Sequence, residues 1–71
     1  MATPTKEKRD AIARLTKAYN LADTCRKELQ EAIKLAEKAG LRNSSYIAQA
    51  QSACSQVMNY SDQGRRQVER L

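Results

Sequence analysis

The sequence predicts an all-α protein: an antiparallel two-helix hairpin that completes a four-helix bundle by self-association or by accepting a partner helix. Three observations carry that expectation. Breakers are sparse, with Pro4 the only proline and Gly40 and Gly64 the only glycines. Apolar residues recur at three- and four-residue spacing on both sides of Gly40, the period of a helix and not of a strand. The nineteen residues from Asn43 to Ser61 carry no formal charge, in a chain that is 30% charged. That stretch is too rich in Ala and Gln for a loop and reads as a helix largely covered by other protein.

The elements follow in order. Thr3 offers an N-cap and Pro4 a first helical residue, where a missing N–H does no harm. Helix 1 is expected over about 4–39. With Ile12 at heptad position a, Ile12, Leu15, Tyr19, Ala22, Arg26, Leu29, Ile33 and Ala36 fall at a and d. Ala11, Ala18, Cys25, Ala32 and Ala39 fall at g, a column of small residues that lets another helix approach closely. Arg26 interrupts the apolar seam; its alkyl stem is expected to pack while its head reaches water. A rod of this length spans about 50 Å, which leaves room for a bend or a break before Ile12.

Gly40 is the first residue able to end the helix cheaply, by taking a left-handed conformation. Leu41 then stands where a Schellman ending places an apolar residue over Ala36. A turn at 40–44 follows, with Asn43, Ser44 and Ser45 as successive N-cap candidates. Helix 2 is expected over about 45–70. Its seam is Ile47, Ala50, Cys54, Val57, Ser61, Gly64, Val68 and Leu71, flanked by a row of Tyr46, Ala53 and Tyr60. Gly64 is expected to weaken or kink this helix, at a cost of about 1 kcal/mol relative to Ala.

A chain of 71 residues makes one domain, residues 1–71, with too little core to be stable without help. There is no His, and the two Cys do not sit at metal-ligand spacing, so no metal or cofactor is expected. Oligomerisation remains as the stabiliser, and the apolar stripe is wider than one partner helix can cover. The first residues are polar and no window approaches the ~20 apolar residues of a membrane span. The expected location is therefore cytoplasmic, with no membrane insertion and with Cys25 and Cys54 reduced as small buried hydrophobes.

The formal charge is +5. If Ala39 faces Tyr46 across the turn, Arg65 falls near Asn20 and Arg70 near Leu15. The open end then gathers Lys6, Lys8, Arg9, Arg14, Lys17, Arg65, Arg66 and Arg70 against Glu7, Asp10, Asp62 and Glu69. These eight cations are candidate anion-binding residues. Against that reading, Asp10–Arg14, Asp23–Lys27 and Asp62–Arg66 are acid-first i,i+4 pairs of the kind found on solvated helix faces. Aromatics do not interleave with the cations as a base-stacking platform requires.

An enzyme is not expected. Without His there is no Ser–His or Cys–His nucleophile, and Glu28 with Glu31 on the outer face is better explained by ion pairing. The expected function is a non-enzymatic protein–protein interaction module, of the small adaptor, inhibitor or chaperone-like kind. Its candidate partner-binding residues are Tyr46, Ile47, Ala50, Ala53, Cys54, Val57, Met58 and Tyr60, backed by Ile12, Leu15, Leu29 and Ile33. Amphipathic rings among small uncharged residues have the composition of a binding face. The alternative for the two rings is that they roof the intramolecular seam with their hydroxyls in water. The partner is another protein or a second copy. The alternative function is a dimeric nucleic-acid-binding regulator that uses the basic open end.

Overall fold

The computed structural model describes residues 5–71, so the Thr3–Pro4 start lies outside the described residues. Two helices make up the fold, α1 (Thr5–Lys38) and α2 (Ser45–Glu69). They pack antiparallel into a rod of 60 × 14 × 10 Å. α1 continues through Ile12 without the break its length allowed, and α2 runs through Gly64 unbroken.

The turn follows backbone chemistry. Gly40 has φ +105°, a conformation strained for any residue with a Cβ. Leu41 N–H donates to Ala36 O at 2.9 Å and Gly40 N–H to Glu37 O at 3.1 Å, the two bonds of a Schellman ending. Ser44 stands at the N-cap, but it is Asn43 Oδ1 that accepts from Ser45 N–H at 2.9 Å. An Asx side chain thus satisfies the helix start from one residue outside it.

The pairing of the helices corrects the expected register. Gly64 lies against Leu15, so that a Cβ there would stand 3.7 Å from the nearer Leu15 methyl. Lys8 Nζ reaches Leu71 O at 3.5 Å. Arg70 had been expected opposite Leu15, so α2 is displaced by six residues, about 9 Å along the axis. The cause is the turn: the chain folds back along the last turn of α1 before Ser45 starts the new helix.

The seam also differs in phase. On α1 it runs through Ile12, Leu15, Ala18, Ala22, Arg26, Leu29, Ile33 and Ala36; on α2 through Ile47, Ala50, Gln51, Cys54, Met58, Ser61, Arg65 and Val68. Tyr19 and Val57, expected inside, are exposed, and Met58 takes the seam position given to Val57. Ala22 alone is buried among the described residues, at 8% exposure. Two helices touch along a line, so their side chains are left half wet.

Candidate interaction surface

The seam divides the hairpin into two long flanks. One is a groove lined by Leu15, Thr16, Tyr19, Ser61, Asp62 and Arg65, continued by Arg26, Ser55, Met58 and Asn59. Carboxylates hold arginines across its mouth. Arg26 Nη2 lies 2.9 Å from Asp23 Oδ1, and Lys27 closes on the other Asp23 oxygen at 3.2 Å. Arg65 bridges Asp62 at 2.8 Å and Glu69 at 2.6 Å, while Arg66 takes the second Asp62 oxygen at 3.2 Å. The hydrogen bond from Arg26, then that from Lys27, holds the Asp23 carboxyl below the ordinary value of 3.8. Arg65 does the same for Asp62, and the Asp62 bond raises the guanidinium in return. Gln51 Nε2 crosses the seam to Arg26 O at 3.5 Å.

The opposite flank is of another kind. At about 100° per residue, Leu21, Cys25, Ala32 and Leu35 fall on the side of the α1 seam away from Tyr19 and Arg26. On α2, Tyr46, Ala53, Val57 and Tyr60 fall away from Ser55 and Asp62. Antiparallel packing brings both sets to the same side. Leu21 is 60% exposed, Leu35 64%, Tyr46 84%, Val57 48% and Tyr60 67%. The rings therefore do not roof the seam. Four charges of α1 fall on this side, Asp10, Arg14, Lys17 and Glu28, and none has an ion-pair partner among the described residues.

The structure divides the eight candidate partner-binding residues into two sets. Ile47, Ala50, Cys54 and Met58 turn half-buried toward α1, whereas Tyr46, Ala53, Val57 and Tyr60 face out. Leu21 and Leu35 were missed. Their signal was present in the heptad series Arg14, Leu21, Glu28, Leu35, whose alternation of leucine with charge reads as a solvated face until α2 is set beside it.

The cations do not converge. Helical phase puts Lys6 and Arg9 on the back of α1, Lys17 in line with Leu35, and Arg70 on the back of α2, on the opposite side of the rod. Arg65 and Arg66 are engaged by Asp62. Of the three expected i,i+4 pairs, Asp23–Lys27 and Asp62–Arg66 form, and Asp10–Arg14 is not among the ion pairs of the described residues. Among those residues there is no cluster of His, Cys, Asp and Glu able to hold a metal, and no helix is long and apolar enough to cross a membrane. Comparison with protein-family models, with curated proteins and with solved structures returned no match, so the surface is read from its own chemistry.

Proposed function

We propose that the protein is a non-enzymatic protein-binding module whose apolar flank docks a second copy of the hairpin, closing a four-helix bundle. The observation that carries the reading is the exposure of Leu21, Leu35, Tyr46, Val57 and Tyr60 on one flank of a hairpin with a single buried residue among those described. Area supports it. A folded monomer of 8.0 kDa typically exposes about 4,450 Å², whereas this chain exposes 5738 Å². The excess, about 1,300 Å², exceeds the ~800 Å² each partner contributes to a standard interface.

Charge supports a second copy as the occupant. Arg14 and Glu28 lie one heptad to either side of Leu21. A two-fold axis across the flank at Leu21 brings Arg14 of each copy to Glu28 of the other, so that these two charges find their complements. The test is solution mass by light scattering. The native chain is expected to weigh twice its sequence mass, Arg14→Glu to dissociate, and Arg14→Glu with Glu28→Arg to reassociate. A native chain of single mass at micromolar concentration would overturn self-association, and a double variant that stays dissociated would overturn the axis.

The alternative, a nucleic-acid-binding regulator, rests on Lys6, Arg9, Lys17 and Arg70, which have no ion-pair partner among the described residues. The placement of Lys6 and Arg9 on the opposite side of the rod from Arg70 weighs against one phosphate track. Absence of binding to duplex and single-stranded nucleic acid at low salt removes this reading; steep salt-dependent binding would revive it.

A further inference from the structure

The register that overturned the expected pairing has a chemical consequence at mid-rod. Leu15 lies against Gly64. Ten residues inward along each helix from that contact are Cys25 and Cys54, which therefore oppose one another. Both are free thiols, Cys25 exposed and Cys54 half-buried. The neighbours are small: Ala18 and Ala22 lie on the α1 seam beside Cys25, which stands at its edge, and Ala50 precedes Cys54 on α2. Small residues bring the helices close, and a disulfide requires Cα atoms within about 7 Å. The proximity has an electrostatic signature as well. The Cys25 thiol, and after it partial burial, push the Cys54 thiol above its ordinary value.

We infer that Cys25 and Cys54 form a reversible cross-helix disulfide site, closed by exchange with a small disulfide of the oxidised-glutathione class and reopened by thiols. Cys25, the member exposed in the single hairpin, reacts first. Its thiolate attacks one sulfur of the small disulfide; the S–S bond breaks, one small thiolate leaves, and a mixed disulfide remains on Cys25. The Cys54 thiolate then attacks the Cys25 sulfur and expels the second small thiol. The two cysteines together give up two electrons and two protons, and the small disulfide becomes two thiols. Half-burial leaves Cys54 the second, intramolecular step, where proximity to Cys25 offsets its smaller thiolate fraction.

The bond joins two rods that otherwise share a line of half-wet contacts. It closes the loop between positions 25 and 54, restricting the unfolded chain, and lies between the apolar flank and the seam. Cross-linking is the usual staple of a chain with so small a core.

The experiment uses the full reduced chain, at one fixed protein concentration, titrated with oxidised glutathione. Intact mass is expected to fall by two hydrogens with no small thiol retained, and digestion without reductant to yield the Cys25–Cys54 linked peptide. The melting temperature is expected to rise by about 10 °C or more and to return on adding dithiothreitol. Cys54→Ser is expected to retain glutathione on Cys25, locating the first step. Persistent glutathione on Cys25 of the native chain, covalent dimers joined through Cys25, or a linked product with no gain in melting temperature would each overturn the proposal.

Discussion

The two flanks of this hairpin are made from the same two helices, yet one is lined with ion pairs and the other with exposed apolar side chains. On the Tyr19 side, Asp23 and Asp62 each collect two cations, and Arg26 and Arg65 reach over the groove so that their stems cover it. On the Tyr60 side nothing of the kind occurs. Leucines, a valine and two tyrosines stand in water between small residues, and the charges on the α1 edge have no ion-pair partner among the described residues. The difference shows what short acidic side chains do at the border of a helical seam. An Asp at the edge fixes an arginine beside the apolar contact and places paired charge along that side. Ala, Cys and Gly at the corresponding edge supply none.

Four measurements break or sharpen this contrast. The largest effect is expected from Val57→Asp, which places an unpaired carboxylate in the centre of the apolar flank. Association should weaken by roughly 100-fold or more, read as light-scattering mass against concentration. Arg65→Ala with Arg66→Ala, on the ion-paired side, should leave the mass unchanged. An associated Val57→Asp protein would show that the flank is not the contact. Next comes the seam that both flanks share. Ala22→Leu forces a branched side chain into the closest approach and should cost about 1–3 kcal/mol, a melting-temperature loss of roughly 4–8 °C per kcal/mol.

Gly64→Ala should act in the opposite direction. The added methyl meets the Leu15 methyls at 3.7 and 3.8 Å, an ordinary contact, and removes the glycine penalty of about 1 kcal/mol. A fall in melting temperature would mean that association needs a bare backbone at this position. The smallest effect belongs to the ion-paired flank itself. Asp23 and Asp62 are held below 3.8 in the folded chain, so their contribution is present above that pH and lost as pH falls through the lowered values. Thermal scans should agree from neutrality to about pH 5 and lose a few degrees below pH 4. High salt should shrink that loss, because both carboxylates are about a third exposed and easily screened.

Much of the architecture was legible. The Schellman ending at Gly40–Leu41 could be read because a glycine followed by an apolar residue at the end of a periodic stripe has a backbone explanation within five residues. The helix bounds at Lys38 and Ser45 follow from it. The start of α2 was legible as a cluster of cap residues, though which of them supplies the oxygen was not: Ser44 holds the position and Asn43 makes the bond. The phase of α2 was harder. Val57 and Met58 are adjacent and both apolar, and a heptad count cannot choose between them when neighbouring a and d positions are Ala, Ser and Gly. Leu21 and Leu35 were invisible as surface residues of interest, because their series contains Arg14 and Glu28 and belongs to no stripe of α1 alone.

From residue spacing and glycine placement alone, the number of helices and the place of the turn were determined, since each depends on interactions within a few residues. Tertiary structure decided the six-residue offset, and with it which thiols, methyls and charges oppose one another. An offset depends on how far the turn folds back before the second helix begins, and residues distant in sequence acquire neighbours only once that distance is set.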